Sequence, residues 1–275
     1  MLPPLVIDSA LGRRLATHEA LVHARGGRDL RDLGDGLLLY DPTDPEPFWN
    51  RLVATRWPSD PVRVEARIDE VTILFASLDR VPHIRTMPLG GEPADLESQL
   101  VRAGFRLVGR DRAMALADTG PAIALSRTLG SRPHLRVEQV GIGSASSAMD
   151  VARVLVEAFD VESDRVPALA AETLAASRRD GGAALLLLDD ERPVAAARRV
   201  TVDGATYLSS IGTIPSARGQ GFATLLTAIA IMGAVSAGTG LIHLLCEAGM
   251  ARTERLYRRM GFESVGEPIA DLLLR

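Results

Sequence analysis

Two glycines between a strand that ends at a proline and a helix that begins at once restrict this chain more than any other feature. The stretch reads Ile211-Gly212-Thr213-Ile214-Pro215-Ser216-Ala217-Arg218-Gly219-Gln220-Gly221-Phe222-Ala223-Thr224-Leu225-Leu226. The first N–H groups of a helix have no partner inside it, and they converge on one point that the helix dipole makes positive. Glycines let backbone approach a bulky anion without a Cβ in the way. Gly219 to Ala223 therefore read as a cradle for phosphate, and a diphosphate is the natural guest.

A second pattern lies downstream, where Leu256-Tyr257-Arg258-Arg259-Met260-Gly261-Phe262 closes a helix and enters a strand. Together the two stretches resemble the signatures of the GCN5-related N-acetyltransferase (GNAT) family. The family's loop has Arg or Gln, then two residues, Gly, one residue, and Gly or Ala. Arg218, Gly221 and Ala223 match it, with Pro215 three residues ahead; the Leu-Tyr-x-x-x-Gly-Phe signature matches in full.

The resemblance implies a fold and a chemistry. The fold is α/β in the α+β sense: a mixed, mostly antiparallel sheet flanked by helices. The chemistry is direct transfer of an acetyl group from acetyl-CoA to an amine within a ternary complex. It implies that Arg218, Gly219, Gln220, Gly221, Phe222 and Ala223 hold the pyrophosphate. It implies that the backbone of Ile211, Gly212 and Thr213 pairs with the pantetheine arm, and that Tyr257 protonates the leaving thiolate. The sequence departs from the family in two respects, the first being Met250 seven residues before the Tyr, where many relatives carry Asn. Relatives often carry a Glu on the strand before the loop as general base, whereas Tyr207-Leu208-Ser209-Ser210-Ile211-Gly212-Thr213 has no carboxylate. Glu247, at the end of the next strand, is one candidate replacement, His243 on that strand is another, and a water chain is a third. Asp160, Glu162 and Asp164 fall where the family's acceptor loop lies, and their acidity suits a cationic amine. A chain that kept the CoA loop without turnover, as an acyl-CoA sensor or docking module, is the rival reading.

Composition narrows the rest. The net charge is −4, and all 31 basic residues are Arg without a dense cluster, so no nucleic-acid partner is expected. Cys246 is the single cysteine. It permits no internal disulfide and no cysteine zinc set, and it suits a reducing compartment. Met1 to Leu15 lacks the layout of a signal peptide, and the longest apolar run, Leu225 to Val235, is too short to span a bilayer. A cytoplasmic, soluble protein is expected, as monomer or homodimer, with no metal, no membrane partner, and a small-molecule or protein amine as acceptor.

At 275 residues the length suits two domains. Periodicity places helices at Leu11–Ala24, Pro61–Leu78 and Asp95–Ala103 in the first half, with strands at Gly36–Tyr40, Trp49–Arg56, His83–Met87, Phe105–Val108 and Ala113–Leu116. Leu100-Val101-Arg102-Ala103-Gly104-Phe105 parallels the Leu256–Phe262 motif with one residue fewer and Val101 at the Tyr position. No glycine loop precedes it. Residues 1–118 therefore read as a degenerate GNAT-like half or as an unrelated small α/β domain, 119–133 as a linker with at most a turn or two of helix, and 134–275 as the acetyltransferase domain. That last domain reads β-α-α-β-β-β-α-β-α-β, with Asp203-Gly204 as a hairpin turn.

Overall fold

The computed structural model describes residues 2–141 and 143–274. It divides into two compact units. One comprises Met1–Leu5, Ala115–Leu244 and Arg255–Glu263; the other comprises Val6–Met114, Leu245–Glu254 and Ser264–Arg275. Sequence order alone does not mark this division, because segments 245–254 and 264–275 group with the N-terminal residues. The expected fold class is found: mixed α/β, with mostly antiparallel strands and helices packed on them.

The unit carrying the glycine loop has strand order β10-β9-β8-β7-β6. β6 (Leu135–Gln139), β7 (Gly182–Asp189), β8 (Arg192–Val202) and β9 (Ala205–Thr213) form an antiparallel meander, and β10 (Leu241–Glu247) pairs β9 in parallel. The turn between β8 and β9 is the expected one. Asp203 and Gly204 have φ of 49° and 66°, as a two-residue turn matched to strand twist requires. Helix α5 (Ala145–Phe159) buries Ala148, Val151, Ala152 and Leu155, the spacing of a single helical face. Helices α6 (Val166–Ser177) and α7 (Phe222–Ser236) complete the layers. Ser144 caps α5 without a side-chain hydrogen bond.

The segment expected to be a linker is instead largely helix α4 (Gly120–Gly130). Pro121 at its first turn fits helix entry, and α4 packs on α7 in the same unit.

The other unit has strand order β1-β2-β3-β4-β12-β5. It contains β1 (Asp29–Asp32), β2 (Leu37–Tyr40), β3 (Arg51–Val53), β4 (His83–Arg85), β5 (Phe105–Leu116, its last two residues in the first unit) and β12 (Ile269–Leu274), which the short β11 (Phe262–Ser264) precedes in the chain. Helices α1 (Ser9–Ala24), α2 (Pro61–Ser77) and α3 (Leu96–Arg102) flank it. β5 is one continuous strand where the sequence suggested two. β1 has no apolar alternation to announce it, and its residues are mostly exposed. Ala270 and Leu272 of β12 are wholly buried with Leu52, Phe75, Ile84, Leu100 and Phe105, which fixes the chain's last strand in this core.

Charge also fixes it. Glu19 on α1 accepts from Arg51 at 2.6 Å, meets His23 at 2.9 Å, and lies 3.4 Å from Arg85. Arg85 in turn pairs with Asp111 and lies 3.4 Å from Asp271 of β12, which meets His83 at 2.9 Å. Burial pushes the Glu19 carboxyl up, but Arg51, His23 and Arg85 together outweigh burial and hold it well below the usual carboxylate range. Asp271 behaves alike: burial raises it, while the His83 hydrogen bond and Arg85 bring it below its ordinary value. A buried charge is tolerated only when it is paired and hydrogen-bonded, and β12 supplies one member of this set.

Candidate functional site

The site begins on β9. Between Ala196 and Arg198 of β8 the register shifts: Ala196 faces Gly212 while Arg198 faces Ser209. β9 thus carries one extra residue, a bulge, and Ser210 sits in the left-handed region at φ 52°. The bulge lies beyond the parallel pairing of β9 with β10, whose register within the unit runs from Ala205–Leu241 to Leu208–Leu244. β9 continues past that point to Thr213. Within the unit, Ser209 pairs Arg198 on the β8 side, and Gly212 and Thr213 pair Ala196 and Ala195, with Ser210 and Ile211 in the bulge between. The sequence gives no sign of the bulge; Ser209-Ser210 has none of the Gly or Asn that usually mark one.

A close contact fixes the far end of β9. A Cβ on buried Gly212 would come within 2.8 Å of the Ala158 methyl and 3.0 Å of the Phe159 ring. Gly212 is therefore what lets the C-terminal turn of α5 approach the strand. Arg218 ties the same corner, donating to the Thr213 carbonyl at 3.3 Å and the Ala158 carbonyl at 2.9 Å. Its guanidinium braces the loop. The Asp160–Asp164 segment starts from this corner, with Asp160 left-handed at φ 54° as the helix cap. The Thr213 hydroxyl is buried and has no hydrogen-bond partner among the described residues.

From Pro215 a short 3-10 turn leads into the glycines. Gly219 and Gly221 have φ of 86° and 85°, a region that L side chains rarely enter. Gly221 is the N-cap of α7 and offers no side-chain cap. The first intrahelical bond is donated by Leu225 to the Gly221 carbonyl at 2.9 Å. The N–H groups of Phe222, Ala223 and Thr224 come before it, at the positive end of a helix of 15 residues. These residues fit a diphosphate: two glycines in the required conformation, a helix start with no capping side chain, and nearby arginine.

The other candidates come from β10 and from the helix after it. Tyr257 on α8 (Ala251–Arg259) is in the same unit, 6% exposed, with its ring edge-on to Phe262 at 5.8 Å. His243 is 1% exposed and its ring lies 5.1 Å from that of Tyr207, its register partner on β9. Glu247 is exposed at the end of β10 and falls in the other compact unit. Thr213, Ala158 and Phe159 are site residues that the sequence reading did not single out for their side chains. Nothing in their identity signals the role, which arises from the approach of α5 to β9.

Comparison with known proteins gives the following. Residues 149–262 match the model of the acetyltransferase (GNAT) family. No curated protein matches the sequence. Among solved structures, a GCN5-related N-acetyltransferase from Kribbella flavida is similar at 23% identity and a TM-score of 0.71, over 95% of each chain. A conserved protein of unknown function from Staphylococcus epidermidis has a TM-score of 0.67 at 14% identity, covering 89% of this chain and 93% of its own. A tandem GNAT protein from the clavulanic acid biosynthesis pathway has a TM-score of 0.61 at 15% identity, over 92% of this chain and 86% of its own. These likenesses run through both halves of the chain and establish its fold.

Proposed function

We propose, on the match of residues 149–262 to the acetyltransferase (GNAT) family model, that this protein transfers an acetyl group from acetyl-CoA to an amine. One observation carries the reading. β9 is bulged at Ser210, and the chain then passes through Gly219 and Gly221, both left-handed, into the uncapped start of α7. That succession offers backbone donors to a diphosphate at one end and strand N–H and C=O groups to an extended arm at the other.

Acetyl-CoA supplies the thioester that is broken when the amine attacks. The protein's own residues bind and orient. The amides from Gly219 to Ala223 hold the phosphates. Ile211, Gly212 and Thr213 offer their backbone to the arm. Tyr257 is the proton donor to the thiolate, a role within reach of a phenol whose ordinary pKa of about 10 is close to that of a thiol. Glu247 is the proposed proton acceptor for the amine, directly or through water. Asp160, Glu162 and Asp164, exposed beyond α5, would attract a cationic acceptor, a small molecule or a protein amino group.

The absence of a carboxylate on β9 favours a second reading, a CoA-binding module without turnover. Calorimetry with acetyl-CoA followed by a thiol-release assay over a panel of amines separates the two. Binding with release supports the transferase. Binding with no release across primary, aryl and peptide amines supports the module, and no binding removes both. Among the described residues no helix is long and apolar enough to cross a membrane. The chain's single cysteine, Cys246, is buried and supports action in a reducing compartment such as the cytoplasm, which fractionation of the native host would test.

A further inference from the structure

The end of α4 reaches the glycine loop. The Leu129 side chain lies where a Cβ on Gly221 would come within 3.3 Å of it. Just past the helix, Arg132 donates from Nη1 to the Gln220 carbonyl at 3.0 Å. That bond holds the guanidinium at the rim of the cradle and uses one of its five N–H donors. Arg192, at the start of β8, donates to the Ser216 hydroxyl at 3.4 Å, and Arg218 belongs to the loop itself.

Most buried or half-buried arginines of this chain have a carboxylate at hand, as Arg51, Arg67, Arg85, Arg110 and Arg198 do. Half-buried Arg132 has none recorded among the described residues, and neither do Arg192 and Arg218, which are exposed; the recorded bonds of these three go to carbonyl and hydroxyl oxygens. In a chain of net charge −4, three guanidiniums without a protein anion thus gather at one loop. An anion from outside completes such a set, and the planar guanidinium suits phosphate better than an ammonium does.

We propose that Arg132 is a phosphate ligand for the nucleotide end of the donor, so that α4 and the turn after it belong to the donor site. The proposal rests on the reading that CoA occupies the Gly219–Ala223 loop. The chemistry recognised is a phosphate ester: the diphosphate of CoA or its 3′-phosphate.

The test is calorimetry on the full chain and on Arg132→Gln and Arg132→Lys, with CoA, 3′-dephospho-CoA and, by competition, pantetheine. Arg132→Gln is expected to bind CoA about tenfold more weakly, the scale of a lost charge-assisted hydrogen bond. Pantetheine affinity stays unchanged, Arg132→Lys keeps most of the CoA affinity, and raised salt narrows the gap between wild type and Arg132→Gln. A loss confined to CoA assigns the 3′-phosphate; an equal loss for CoA and 3′-dephospho-CoA assigns the diphosphate. Unchanged CoA affinity in Arg132→Gln overturns the proposal. So does an equal loss for pantetheine, since Arg132 would then only shape the loop. A wild-type chain that does not bind CoA removes the underlying reading instead.

Discussion

Leu129 and Gly221 meet across the mouth of the glycine loop, where a Cβ on Gly221 would lie 3.3 Å from the leucine side chain. Gly221 thus answers to two constraints at once, a left-handed φ of 85° and a close neighbour.

Gly221→Val should therefore disturb the cradle more than the fold. A β-branched residue resists the left-handed region and crowds Leu129. CoA affinity is expected to fall at least about tenfold, the effect of losing the aligned donors of the loop, while far-UV circular dichroism stays native. Unchanged affinity in calorimetry would place the phosphates elsewhere.

Tyr257→Phe keeps the ring against Phe262 and removes only the hydroxyl. If that hydroxyl protonates the thiolate, turnover should drop roughly 10²-fold with little change in acetyl-CoA affinity, because the charge develops only in the transition state. The high-pH limb of the rate profile should move as well. A lower melting temperature with turnover nearly intact would make Tyr257 a packing residue.

Glu92 gives a pH signature in the N-terminal unit. It accepts from the Thr55 hydroxyl at 2.5 Å and from the Met87 N–H at 2.7 Å. Burial raises its pKa to about 7, against the smaller opposing effect of those hydrogen bonds. A folded pKa above the unfolded value of 4.5 means that the protonated native form is favoured. Its contribution is complete below pH 4.5 and is lost as pH rises through 7; by linkage it amounts to about 3 kcal/mol. Glu92→Gln cannot ionise; its amide oxygen can still accept from Met87, while its amide nitrogen replaces the oxygen that accepts from Thr55. Melting curves from pH 5 to 9 should show the variant gaining on wild type as pH rises, and parallel curves would count against a raised pKa.

Glu19→Ala should be among the most damaging single changes in that unit. It leaves the Arg51 guanidinium, 0% exposed, without its carboxylate. Breaking a buried pair on one side costs about 3–5 kcal/mol, so chemical denaturation should show a loss of that order. A loss below about 1 kcal/mol would mean that the network is already balanced by its other members.

The sequence by itself determined the local chemistry. Pro215, Gly219 and Gly221 specify a strand stop and a left-handed entry to α7, and Asp203-Gly204 specifies a tight hairpin. The apolar spacing of α5 and α2 gives their buried faces. These depend on residues near in sequence, so one strand of text carries them. Tertiary structure decided what depends on distant partners. Pro121 and two glycines made 119–133 read as a linker, yet packing on α7 stabilises α4 as helix and brings Leu129 and Arg132 to the loop. The bulge at Ser210 is set by register against β8, which no local pattern encodes. The membership of 245–254 and 264–275 in the N-terminal unit is decided in the same way. Ala270, Leu272 and Asp271 there look like any closing strand, and only the core around Phe75 and the charges of Arg85 and His83, nearly two hundred residues earlier, give them a place that is both dry and electrically paired.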